Sequence, residues 1–406
     1  MDDHLLSGKV SRVALSVNTL MSVINNPDFE KRNQDLEACD FLLGNPHEMP
    51  LNGFVAALQK SVVPHDKDWY AYKMNEPDAR QTVADSLQSW RELPYRAEDI
   101  FLTTGAFSAL SVTLNAILDP EDEVIFISPP WFFYEAMILA ANAIPVRVKM
   151  AANFDLDLAA IDAAITPRTR AIIINSPNNP TGKIYPSQTL RSLGLLLEAA
   201  QKITGLPIFL LSDESYSKII FDNRRFVSPT VFHPYSFLIY TYGKTLLTPG
   251  QRLGFIALPP ELPNPQPVRD SLFLSQMVSG YAFPNALLQH ALPDLDKLSI
   301  DIRHLQEKRD QMVRALQEIG YQVHHPEGTF YLLPKSPWVD DMAFVRLLME
   351  HKIYCLPGSV AEMPGYFRIS LTANDAMIDR SLSGFALALE RAHKHQPLRA
   401  REAVHS

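Results

Sequence analysis

The chain has 406 residues, 47% hydrophobic and 20% charged, which suits a soluble globular protein with enough length for two or three domains. Its formal net charge of −8 argues against a broad nucleic-acid-binding face, and its local basic clusters (Arg224-Arg225 and the tail from Arg391 to Arg401) read as solvated surface. Two cysteines, Cys39 and Cys355, exclude a disulfide framework. Together with the acidic opening Met1-Asp2-Asp3-His4 and the lack of a bilayer-length apolar run, they lead us to expect a cytoplasmic protein.

Residues 11–25 fit an amphipathic helix with Leu15, Leu20, Val23 and Ile24 on its apolar side, ended by Asn26-Pro27. A short strand, Phe41-Leu42-Leu43, then meets the turn Gly44-Asn45-Pro46. Short continuous apolar runs predict strands at 100–104, 123–128, 170–175, 208–212, 237–241 and 253–258, each the kind of run that is covered on both faces. Helical patterns fall between them at 106–118, 131–142 and 187–203. The longest apolar stretch, 136–146, is interrupted by Asn142 and Pro145. After a Pro-rich segment at 259–267 a charged helix runs over 298–319, and 321–392 reads as a smaller α+β unit with strands near 329–333 and 367–371. The alternation implies an α/β protein with a mostly parallel central sheet and helices on both faces, plus a smaller α+β domain.

Open α/β sheets place ligands at the carboxyl ends of their strands, so the loops there carry the chemistry. The first predicted strand ends in Thr103-Thr104-Gly105-Ala106-Phe107-Ser108, a small-residue turn before a helix that can cradle phosphate, although many helices start this way without a ligand. Trp131, after Ser128-Pro129-Pro130, can stack on a planar ring or simply pack. The loop Asn175-Ser176-Pro177-Asn178-Asn179-Pro180-Thr181-Gly182 is stiff enough to aim an amide at a ligand. Asp213 closes a buried strand, where a carboxylate is costly without a cation, and Lys244 and Arg252 follow the next one. A plain ion pair would account for Asp213 and Lys244 but not for the cradle, the aromatic and the aimed amide. A flat aromatic cation bearing phosphate, phenolic oxygen and aldehyde uses all of them; pyridoxal 5′-phosphate is such a group.

The motifs SPNNPTG (176–182), SDESY (212–216), GKTLLTPGQRLG (243–254) and FRISLTAND (367–375) resemble those of the class I/II aminotransferases, pyridoxal-phosphate enzymes of fold type I. The likeness extends to LGNP (43–46), LDPEDEVIFISPPW (118–131), PEGTFYLLP (326–334) and LPGS (356–359), in the family's order over nearly the whole chain after residue 40. It implies a large cofactor-binding domain at 45–290 and a small domain formed by 1–44 with 291–406. It also implies that Lys244 holds the cofactor as a Schiff base and shuttles the proton at Cα, and that Asp213 keeps the pyridine nitrogen protonated. Asn179 and Tyr216 would hydrogen-bond the phenolic oxygen, and Trp131 would stack on the ring. The backbone of Gly105, Ala106 and Phe107, with Arg252, would bind the phosphate. Arg368 would grip the substrate α-carboxylate in a fork beside Gly44 and Asn179. Tyr70 (Tyr72 if the register shifts) would reach the partner's phosphate in a homodimer with shared sites.

The reaction implied is amino transfer between an amino acid and a 2-oxo acid; a lyase, decarboxylase or oxidase on the same fold is the alternative. Two positions depart from the family's pattern. Asn75 stands where glycine is usual. Gly243 replaces the serine that precedes the lysine and donates to phosphate, leaving Thr241 or Tyr242 to take over. The stretch 272–288, expected near the site or a dimer contact, holds Phe273, Tyr281 and Phe283 but no Arg or Lys, so neutral, apolar or aromatic substrates are expected unless Lys183 or Arg269 turns inward. His324-His325 lacks metal-ligand spacing, and no metal is expected.

Overall fold

The structure, a computed structural model, describes residues 7–394 apart from Glu92; the readings made on Met1–His4 and on the tail beyond residue 394 lie outside the described residues. A two-residue strand, β1 (Cys39–Asp40), precedes the main sheet. That sheet contains β2 (Ile100–Thr103), β3 (Glu123–Ser128), β4 (Ile144–Lys149), β5 (Thr169–Asn175), β6 (Phe209–Asp213), β7 (Ser236–Thr241) and β8 (Gly254–Ala257). Their order is β2-β8-β7-β6-β5-β3-β4; β8 is antiparallel to both neighbours and every other neighbouring pair is parallel.

The apolar runs are continuous because successive side chains serve two cores. Phe126, Ile173, Leu211 and Ile239 face the helices Ala106–Ile117 and Pro265–Val278, packing with Leu110, Leu114 and Leu272. Ile125, Ile127, Ile172, Ile174 and Leu210 face the other way, onto Leu190, Leu193 and Leu197 of helix Ser187–Thr204. Strand β4 was not among the sequence expectations: Pro145 interrupts its pattern and Arg147 and Lys149 alternate with apolar residues. Its place at the sheet edge, paired only with β3, explains how a proline lacking an N–H is tolerated there.

The last part of the chain adds β9 (Tyr331–Leu332), β10 (Ile353–Tyr354), β11 (Leu356–Pro357) and β12 (Phe367–Ser370), with β11-β12-β9 forming a small antiparallel sheet. Helices Ile302–Ile319, Asp341–Glu350 and Asp375–Lys394 cover it, and Phe344, Phe367 and Phe385 share a core with Phe41 and Leu42 from the start of the chain. The strand expected at Phe41–Leu43 lies two residues earlier as β1, parallel to β10; a pairing partner more than three hundred residues away sets that register. The expected first helix is two, Gly8–Ser16 and Asn18–Ile24, broken at Val17, with Leu15 exposed and only Leu20 and Val23 buried. Both cysteines are buried and free. Among the described residues no helix is long and apolar enough to cross a membrane, and no cluster of His, Cys, Asp or Glu could hold a metal.

Candidate active site

The carboxyl ends of β2, β5, β6 and β7 and the loop after β3 converge on one cavity of about 100 Å³. Ala106, Phe107, Trp131, Asn179, Asp213, Tyr216, Lys244 and Arg252 line it, as do Asn175, Ser215, Thr241, Gly243 and Pro249. Each wall has a local cause.

After β2 the chain reaches Gly105 with φ +85°, which starts helix Ala106–Ile117 and leaves its first N–H groups free. The positive φ favours glycine, and a Cβ there would lie 2.8 Å from Arg252 Nη2, so the bare backbone lets that guanidinium sit against the helix start. Arg252 donates from Nη1 to the Pro249 carbonyl at 2.7 Å, and burial pulls its pKa down. A helix N-terminus and an uncompensated guanidinium at one spot form an anion site.

After β5 the loop is tied by Asn175, whose Nδ2 donates to the Asp213 carbonyl (2.9 Å) and whose Oδ1 accepts the Asn179 N–H (2.7 Å). Gly182, at φ +70°, closes the loop; its carbonyl accepts N–H groups of Glu327 (3.0 Å) and Gly328 (3.1 Å), and a Cβ there would collide with Pro326. Lys183 pairs with Glu327 and Arg269 with Asp99, so neither turns inward as a free cation.

At the end of β6 the Asp213 carboxylate is buried. It accepts the Ser215 hydroxyl (2.6 Å) and N–H (3.1 Å) on Oδ1 and the Tyr134 hydroxyl (2.6 Å) on Oδ2. Burial pushes its pKa up despite these donors and the more distant Lys244 charge, so its ionised form lacks a close cation. Tyr134 is held well above its usual range by burial and by Asp213. Lys244 follows β7 in a single helical turn, Tyr242–Thr245, its Nζ 5.6 Å from the Tyr216 ring centre and 5.7 Å from that of Phe330. Gly243 before it packs tightly, since a Cβ would stand 3.0 Å from Pro249 Cα. Of the two candidates to replace the missing serine, Thr241 lines the cavity, whereas the Tyr242 hydroxyl donates to Asp296 at 2.7 Å on the far side.

Arg368, on β12, joins the cavity through Asn179: Nη1 donates to Asn179 Oδ1 and Nη2 to the Leu42 carbonyl, each at 3.1 Å. Its guanidinium lies 4.0 Å over the Tyr331 ring, and its buried Nε has no partner. Gly44 lies alongside, where a Cβ would be 2.7 Å from the Tyr331 hydroxyl oxygen. Burial alone would raise the Tyr331 phenol; the charges of Lys244 and Arg368, with a hydrogen bond from Tyr216, turn its shift downward. Among the described residues no carboxylate pairs with Lys244, Arg252 or Arg368.

Tyr70 stands apart from the cavity of its own subunit: it is 53% exposed, its hydroxyl donates to the Val62 carbonyl, and Tyr72 is fully exposed. The stretch 272–288 also misses this cavity; Phe273 packs against Phe283, while Leu274, Met277, Val278 and Tyr281 are exposed. Sequence reasoning passed over Tyr134 and Tyr331, whose contacts span 79 and 115 residues; only the motifs SPPW and PEGTFYLLP around them signalled the region.

Two uncompensated guanidiniums, an acid short of a cation, a lysine and a Trp around one cavity fit pyridoxal phosphate and an amino-acid carboxylate. Residues 42–385 match the family described as aminotransferase class I and II. A relative from Aquifex aeolicus, named probable aspartate/prephenate aminotransferase, is 29% identical over 89% of this chain and 93% of its own length. The aspartate/prephenate aminotransferase of Thermus thermophilus is 26% identical over 95% of this chain and all of its own. A crystal structure of an amino transferase from Eubacterium rectale superposes with a TM-score of 0.83 at 27% identity, covering 95% of this chain and 96% of that one.

Proposed function

We propose a division of labour among these residues from one premise: the chain belongs to the aminotransferase class I and II family and is a pyridoxal-phosphate-dependent aminotransferase. When bound, pyridoxal phosphate supplies the electron sink that lets a proton leave the substrate's Cα. Arg252 and the N–H groups of Gly105, Ala106 and Phe107 hold its phosphate, with the Thr241 hydroxyl in the place left by the missing serine. Asp213, a buried carboxylate without a close cation, would hold a proton at the cofactor's ring nitrogen. Ser215 and Tyr134 aim the Asp213 carboxylate, and their hydrogen bonds work against the upward pull of burial on its pKa. Trp131 stacks on the ring, and Asn179 and Tyr216 hold the phenolic oxygen.

Lys244, the lysine that lines the cavity, would hold the cofactor through its Nζ, and the same amine would move the proton at the substrate's Cα. Arg368 grips the α-carboxylate beside Gly44, with Asn179 and Tyr331 fixing the fork. The observation that carries this reading is that Arg252 lines a lysine-bearing cavity, that Arg368 is bonded to its wall at Asn179, and that among the described residues neither has a carboxylate partner.

The proposal extends to a two-domain chain, 45–290 against 1–44 with 291–406, with the site between the two parts. It also extends to a homodimer in which Tyr70 reaches the partner's phosphate. The exposed Tyr70, Tyr72, Met74, Met277, Val278 and Tyr281 support an apolar subunit contact, and light scattering tests it. The free buried cysteines support work in the cytoplasm.

The test is an absorbance spectrum of the purified protein with added cofactor, in wild type and in Lys244→Ala. Wild type is expected to show a visible band that amino acids shift to shorter wavelength and 2-oxo acids restore; Lys244→Ala should lack the cycle. A band that amino acids bleach with release of ammonia, or no band at all, would refute the reading.

A further inference from the structure

We infer that this site accepts amino acids with large apolar or aromatic side chains over aspartate and glutamate, and that Phe107 sets the preference. The inference rests on the aminotransferase reading above and adds the substrate class to it.

The first support is a census of charge. Arg252 serves the phosphate, Arg368 the α-carboxylate and Lys244 the cofactor, which leaves no cation in the cavity for a second carboxylate. Beyond the aromatic wall the next guanidinium is Arg147, and it is already held by Glu135 at 2.6 Å and Glu362 at 2.8 Å. Lys183 is spent on Glu327. A second subunit does not change the balance through the apolar surface expected to meet it: 272–288 has no Arg or Lys, and Lys73, beside Tyr72, pairs with Glu76 at 3.4 Å. A side-chain carboxylate brought here loses water and gains no partner.

The second support is the wall itself. Phe107 lines the cavity and is 41% exposed, which leaves a large part of its ring open for an apolar ligand group to cover. It meets Trp131 edge-on with ring centres 4.5 Å apart and lies 5.1 Å from Phe133, which in turn lies 5.1 Å from Phe132. Its backbone is fixed at the start of helix Ala106–Ile117 beside the phosphate anchor, so the ring that lines the cavity stands on a rigid base. An aromatic side chain completes this cluster by the edge-to-face contacts its members already use.

The experiment measures the half-reaction of the purified holoenzyme with phenylalanine, tyrosine, leucine, aspartate and glutamate, followed by the absorbance of the bound cofactor. Phenylalanine is expected to exceed aspartate in kcat/KM by about tenfold or more. In Phe107→Lys the aspartate-to-phenylalanine ratio should rise by about tenfold, the new ammonium supplying the missing partner. Aspartate or glutamate equal to or faster than phenylalanine in wild type would overturn the inference while leaving the aminotransferase reading intact. A ratio unmoved in Phe107→Lys would remove Phe107 from it. Reaction with no amino acid at all would sink the functional reading, and this inference with it.

Discussion

Two buried guanidiniums in the C-terminal half sit in contrasting surroundings. Arg309, on helix Ile302–Ile319 and 0% exposed, donates to Asp222 at 2.8 and 2.6 Å, to Asp310 at 2.8 Å and to the Pro326 carbonyl at 3.0 Å. Arg368, 2% exposed, has one amide oxygen and one carbonyl for partners and an Nε with none. Both lie over an aromatic ring, Phe221 at 4.6 Å and Tyr331 at 4.0 Å. Since burial and side-chain type are matched, the difference lies in charge balance. A balanced buried cation holds a fold together; an unbalanced one is tolerated where a ligand completes it.

The comparison breaks if the two arginines fail in the same way when removed. The largest effect is expected from Arg368→Ala: a loss of about 2–4 kcal/mol in transition-state binding, roughly thirty- to a thousandfold in kcat/KM, with the melting temperature of the ligand-free enzyme nearly unchanged. Arg368→Lys should recover only a small part of that loss, because an ammonium keeps the charge without the fork. Arg309→Ala should do the opposite, lowering unfolding free energy by about 2 kcal/mol in denaturant titration while the surviving folded enzyme keeps its kcat/KM. That figure is modest because the carboxylates left behind, Asp222 and Asp310, are partly exposed and rehydrate.

The pH dependence sharpens the contrast. Hydrogen bonding to Arg309, then its charge, holds Asp222 below the usual carboxylate range. A depressed carboxylate contributes stability that is complete above its unfolded pKa of about 4 and is lost as pH falls through the lower folded value. The stability gap between wild type and Arg309→Ala should therefore close on acidification below about pH 4, as read by melts across a pH series. The smallest effect is expected from Tyr134→Phe, which removes one donor to Asp213. Activity should fall several-fold, about 1 kcal/mol. Its acid limb should move to higher pH, because the lost hydrogen bond was among those lowering Asp213.

Local sequence pattern alone pointed to the strand ends that meet at the cavity, whereas Arg368 was reached only through family resemblance. Asp213, Lys244 and the Gly105 turn follow apolar runs that are buried on both faces, so local pattern and position coincide there. β4 was hidden because an edge strand tolerates Pro145 and alternates like a surface element. β1 was displaced because its register is set by Ile353 and Tyr354. That Arg368 is open and Arg309 is closed could not be read from either segment, because the partners that distinguish them, Asp222 and Asn179, are 87 and 189 residues away.

The Gly182 contact has a mechanical consequence. The loop that presents Asn179 is bonded at Gly182 to Glu327 and Gly328, just ahead of Tyr331 and the sheet that carries Arg368. Lys183 and Ile184 add two further ties to the Glu327 carboxylate, at 3.3 and 2.8 Å. The Ser128–Glu362 hydrogen bond, 2.7 Å long, is a separate tie between the same two parts of the chain. The backbone that presents Asn179 and the segment leading to Tyr331 are therefore bonded to each other as well as to the cavity they border.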